Sequence, residues 1–153
     1  MEDDLVVYYS YNLNWNLPKV TQNEAKEFLN QIPKEKLPLI FQKYAKECWE
    51  NAVDVVISIG YPENKTALPK LYELFKDMNW PGALKSLEYL KSLEHHVNSV
   101  YLEDACFNAV EDKDLEWLYF LYEVSVQLNI TMQDFNNTNL YRQMKTAYEE
   151  VTR

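Results

Sequence analysis

Glycine is what this chain most conspicuously does without: there are two in 153 positions. So small a supply argues against glycine-rich phosphate loops, dinucleotide-binding turns and a meander of tight hairpins, all of which need φ > 0 at fixed places. Cysteine is equally scarce. Cys48 and Cys106 each sit in an apolar pattern of helical period, the setting of buried, reduced thiols rather than of a disulfide framework. Neither has an adjacent cation to lower its pKa, as a nucleophilic thiol requires. Long apolar runs are missing too. The longest, around Val53–Ile59, contains Asp54 and falls far short of the roughly 20 residues of a membrane span. Met1-Glu2-Asp3-Asp4 lacks the basic region of a signal peptide, so the expectation is a cytoplasmic chain. On that expectation the sequons at Asn64 and Asn129 carry no meaning.

Basic residues are in deficit. Fifteen Lys and Arg face 24 Asp and Glu, for a formal charge of −9. Such a chain repels phosphate backbones, so direct nucleic-acid binding is not expected. A basic protein partner suits the charge, because opposite fields speed encounter. What the chain has in quantity is apolar and aromatic material: 47% apolar residues, with twelve tyrosines and four tryptophans. A chain of this mass exposes about 8,000 Å² folded against about 26,000 Å² unfolded, enough burial for one self-sufficient core.

The first twenty residues differ from the rest. Leu5–Tyr11 is β-branched and aromatic and is followed by Asn12, Asn14, Trp15, Asn16 and Pro18. It reads as a short strand or an extended arm over a helical body. From Thr21 the period is helical. Ala25, Phe28, Leu29 and Ile32 form a stripe ended by Pro33, and a second helix is expected over Leu37–Cys48. Trp49–Ile57 continues it or starts a third, stopped by Gly60-Tyr61-Pro62. Leu68–Met78 carries Pro69 in its first turn, and Asn79-Trp80-Pro81-Gly82 breaks the pattern, with Pro81 expected to open the next helix. Ala83, Leu84, Leu87, Leu90 and Leu93 make that helix's apolar face, and His95–Val110 turns Val97, Val100, Tyr101, Ala105 and Cys106 inward. Leu115–Leu128 is apolar nearly all round, as a helix sandwiched between neighbours would be. The last helix places Leu140, Met144, Ala147, Tyr148 and Val151 on one face. The expected fold is all-α, one domain over 1–153, built of antiparallel helical hairpins in a stack.

Two segments, LPKLYELFKDMNWPGA at 68–83 and DLEWLYF at 114–120, resemble a bacterial family known only as a domain of unknown function. That family has a leucine-proline start, an Asp-x-Asn-Trp-Pro turn and a later Glu-Trp. The resemblance covers residues 50–128. It departs where Leu118-Tyr119-Phe120 follow the Glu-Trp, since the family typically has a second tryptophan and a lysine there. Members are similar to HEAT-type repeats, so the resemblance implies a HEAT-like α-α superhelix. Some lie beside polymorphic toxins, where small helical-repeat proteins act as immunity proteins. Read physically, Asp77 and Asn79 can accept backbone N–H groups at the helix boundary, with Trp80 covering the apex and Pro81 starting a helix. A binding role for Trp80 is the other reading.

Catalytic chemistry finds little support. His95 and His96 are adjacent, so on a helix they point about 100° apart and do not form a metal pair. No zinc, phosphate-loop or nucleophile-elbow pattern occurs, and neither a metal nor a cofactor is expected. Off the leucine face lie Lys85, Glu88, Tyr89 and Ser92, while Glu116, Phe120, Glu123 and Gln127 share a stripe of the near-apolar helix. Stacked hairpins would align the two stripes into a surface that anchors with rings and reads basic groups. Alternatively, Tyr89 and Phe120 pack against residues 5–15. The expected function is an immunity protein that occludes a basic toxin domain, such as a nuclease. A general interaction scaffold with a non-toxin partner is the alternative, and a small hydrolase the third reading. Oligomeric state is left open.

Overall fold

In the computed structural model, which describes residues 2–152, burial follows the helical period from the start of the chain. Eight α-helices and five short 3₁₀ segments are present among the described residues, with no strand. The chain exposes 8398 Å², close to the ~8,000 Å² expected of a single compact unit of this mass.

The first element corrects the expected strand or arm. Asp3–Tyr11 is a helix, α1. Its β-prone composition is overridden by burial at helical spacing: Val6, Ser10 and then Leu13 are fully buried. Asp3 and Asp4 occupy its first turn, where carboxylates suit the positive end of the helix dipole. A lone strand here would also have left its backbone groups unpaired. α2 spans Lys19–Leu29 and packs on α1, with Tyr9 stacked on Phe28 at 4.0 Å.

The helix expected over 37–48 does not form. Lys34–Ile40 is 3₁₀ with Pro38 inside it, and a second 3₁₀ turn covers Lys46–Cys48. Pro38 supplies no N–H to an α-helical ladder, and Tyr44 sits at φ 67 between the two turns, a conformation that ends any right-handed helix. α3 (Trp49–Ile59) stops at Gly60, φ 81, ψ 155, a backbone region that glycine alone adopts readily.

α4 (Leu68–Glu73) tightens to 3₁₀ over Leu74–Lys76, with Pro69 in its first turn. α5 (Ala83–Leu90) starts after Gly82, whose φ of 88 is left-handed. Pro81 therefore precedes the cap rather than opening the helix. A Cβ on Gly82 would lie 2.8 Å from Val53 Cγ2 and 3.2 Å from the Trp49 carbonyl oxygen, so α3 passes directly over this turn. α6 (His95–Glu111), α7 (Leu115–Gln127) and α8 (Thr138–Thr152) complete the chain. Leu84, Val100 and Val151, expected inward, are exposed.

Packing runs along the sequence. Helices contact neighbours one or two places away: α1 on α2, α2 on α3, α3 on α5, α4 on α6, α6 on α7, and α8 on both α6 and α7. α7 is sandwiched as its composition implies, between α6, α8 and the segment 74–76. This order is that of stacked helical hairpins. The two segments that carry the family resemblance meet directly: Trp117 Nε1 donates to the Tyr72 carbonyl at 3.1 Å, and Lys76 Nζ stands 4.7 Å from the Trp117 ring centroid.

Candidate protein-binding surfaces

The two stripes expected to form a binding surface lie on and just after α5 and on α7, which are joined through residues 74–76. α5 packs on α3, α4 and residues 74–76, and α7 packs on α6, α8 and the same residues 74–76. On α5, Glu88 is exposed and pairs with Lys91 at 3.0 Å. Ser92 returns its hydroxyl to the Tyr89 carbonyl at 2.6 Å. Tyr89 is half-buried against the core, and its hydroxyl accepts from Asn64 Nδ2 at 2.8 Å. On α7, Glu116 and Glu123 are exposed and Phe120 is half-buried, edge-on to Tyr119 at 5.2 Å. Gln127 shares a groove of about 350 Å³ with Lys91, Leu93, His95 and Asn98, residues just past α5.

The turn residues have structural work. Asp77 Oδ1 accepts the Asn79 N–H at 2.8 Å, the Asx geometry that fixes a turn. Trp80 lies edge-on to Trp49, 5.3 Å between centroids. Many tyrosines are likewise absorbed by packing. Tyr119 and Tyr122 of α7 meet Tyr148 and Tyr141 of α8 in a ring-on-ring seam.

Groups with reactive potential stay apart. His95 Nε2 lies 3.1 Å from Asp134, and His96 Nδ1 lies 3.4 Å from Glu94. No cluster of three or more metal-binding side chains occurs among the described residues. Burial, helped by Glu47, pushes the Cys48 thiol up to about 11, and burial with Glu103 pushes Cys106 up to about 12; both are feeble nucleophiles at neutral pH. Asn64 is fully buried and donates to the Val56 carbonyl at 2.8 Å, which closes the first sequon to any glycan in the folded chain.

An acidic and aromatic surface does exist, on α1. Its outer face shows Leu5 at 44% exposure, Tyr8 at 54% and Tyr11 at 47%, continued by Trp15 at 48%. Glu2, Asp4, Leu5 and Tyr8 line a wide, shallow recess of about 640 Å³. A second recess of about 340 Å³ adjoins it on the α1–α2 seam, lined by Tyr9, Glu24, Glu27, Phe28 and Gln31. The two are joined by the Tyr8–Tyr9 contact at 5.2 Å. Rings ringed by carboxylates are the chemistry of an interface for a basic partner.

This surface is held rigidly from below. Gln22 donates to the Trp15 and Leu17 carbonyls at 3.2 and 2.7 Å. Asn51 Nδ2 donates to the Leu13 carbonyl at 2.6 Å and to Gln22 Oε1 at 2.9 Å. The Trp15 N–H reaches the Glu47 carbonyl at 3.1 Å, and Lys36 pairs with Asp3. Buried, mutually satisfied amides of this kind fix one loop conformation. An extended segment over 5–11 would alternate its side chains between two faces, so the shared outer face of Leu5, Tyr8 and Tyr11 exists only in the helix.

Comparison with protein-family models, with curated proteins and with solved structures gave no match. No helix among the described residues is long and apolar enough to cross a membrane.

Proposed function

We propose that this chain is a binding protein for a basic protein partner, and that the partner is a toxin domain which it neutralises by occlusion, as an immunity protein does. The observation that carries the binding reading is the α1 face, where Leu5, Tyr8, Tyr11 and Trp15 stand exposed beside Glu2 and Asp4. Exposed apolar side chains grouped on a preformed, acid-rimmed helix mark an interaction site. The overall charge of −9 supports the sign of the partner. The toxin assignment rests on the resemblance of residues 68–83 and 114–120 to a family with members beside toxin genes. In this reading carboxylates cover the toxin's phosphate-binding surface, the rings anchor, and the inhibitor needs no catalytic group.

The test is co-expression with the product of the adjacent gene. A stoichiometric complex with a basic chain, and rescue of cells that express that chain, supports the proposal. Co-purification with an acidic or neutral partner, without rescue, rejects it.

A further inference from the structure

We propose that a second groove, between Trp49 and Trp80, docks an acidic polypeptide segment through one hydrophobic side chain. Its apolar walls are Phe41, Trp49, Leu74 and Trp80, and it encloses about 280 Å³. That volume admits one leucine- or phenylalanine-sized group and is below the range of ordinary small-molecule sites. The two indoles stand at 68° to each other, a corner rather than the parallel pair that sandwiches a flat base. Trp49 is fixed there, its Nε1 donating to the Gln42 carbonyl at 2.9 Å.

The rim reverses the sign of the molecule. Lys43, Lys70 and Lys76 line the groove, with Glu73 as the one carboxylate among the lining residues. Lys46 Nζ stands 5.1 Å from the Trp80 ring centroid. Lys70 is matched by Glu73 at 3.4 Å. Lys43, Lys46 and Lys76 have no carboxylate at ion-pair distance among the described residues. In a chain of −9, unpaired cations around an apolar corner select an acidic ligand against the overall field, and they complement it at short range. The loop that supplies Phe41, Lys43 and Lys46 also carries Tyr44, 86% exposed and at φ 67. Its ring lies 5.2 Å from Lys43 Nζ and offers a further apolar contact beside the rim. This site differs in charge and place from the α1 face, so the two proposals stand or fall separately.

The experiment uses the full chain and a fluorescein-labelled peptide, Asp-Glu-Asp-Leu-Glu-Asp-Glu, read by anisotropy. The acidic leucine peptide should bind at least tenfold tighter than its Leu→Ser version or a lysine-for-acid version. The indole N–H signals of Trp49 and Trp80 should shift in a ¹⁵N spectrum while that of Trp15 stays in place. Lys43→Glu with Lys46→Glu, both exposed and unpaired, should weaken the peptide at least tenfold with unchanged circular dichroism and melting temperature. Equal binding of the basic peptide, no binding at all, or full affinity in the double variant overturns the proposal. ATP binding tighter than the peptide also overturns it, in favour of a small-anion site.

Discussion

Three non-glycine residues do the work that glycine does elsewhere. Lys113 (φ 54) and Asn129 (φ 59) occupy left-handed positions just past α6 and α7, and Tyr44 does so in the loop before α3. After α6, the Asp114 N–H bonds the Ala109 carbonyl at 2.9 Å and the Lys113 N–H bonds the Val110 carbonyl at 3.1 Å. That is a Schellman ending whose usual residue is glycine. Lys113→Gly should therefore raise stability by up to about 1 kcal/mol, visible as a higher urea midpoint at constant slope. Gly82 shows the converse. With φ 88 and Val53 Cγ2 only 2.8 Å from an added Cβ, Gly82→Ala should cost roughly 3 kcal/mol, from left-handed strain plus overpacking. A loss below about 1 kcal/mol in urea unfolding would show that α3 does not press on this turn.

Elements with a clean period were legible, and those decided by long-range contacts were not. α3, α6, α7 and α8 fall within a few residues of where the apolar repeats placed them. Residues 37–48 failed because one proline and one left-handed tyrosine outweigh a helical stripe, and 5–11 failed because β-propensity yields to burial. Of the turn, Asp77 acts as its type suggests, whereas Pro81 is displaced by the left-handed Gly82 that follows it. The 3₁₀ turn Met132–Asp134 is pinned by a reciprocal capping box with Thr131. Asp134 accepts the Thr131 N–H at 2.8 Å. That bond, with His95 beside it, holds the Asp134 carboxyl below its ordinary value of 3.8. A depressed carboxyl contributes stability above its unfolded pKa and loses it as pH falls through the folded one. Asp134→Ala should thus cost about 1 kcal/mol at pH 7, and the gap from wild type should narrow as pH drops below about 4. A gap unchanged at pH 2.5 in parallel denaturant curves would contradict this.

At the scale of the molecule, two surfaces of opposite character stand out. Glu2, Asp4, Glu24 and Glu27 stand beside rings on α1 and the α1–α2 seam, while Lys43, Lys46 and Lys76 stand around the Trp49–Trp80 groove. Net charge announced the first kind of surface and could not place it; the second was hidden because its lysines lie in separate segments from 43 to 76. Helical phase places Glu116, Phe120, Glu123 and Gln127 on one stripe of α7 and Glu88 and Tyr89 on α5, but it says nothing about which helix stands next to which. The α1 face is proposed to bind a basic partner. The most direct measurement of this is capture from the native lysate on immobilised wild type and, in parallel, on Asp4→Lys with Tyr8→Ala, at low and high salt. Both positions are exposed, so stability should change by no more than about 0.5 kcal/mol per site. A stoichiometric basic chain is expected on wild type, weakened by salt, and held at least tenfold less tightly by the variant. A basic chain retained equally by both proteins would contradict it.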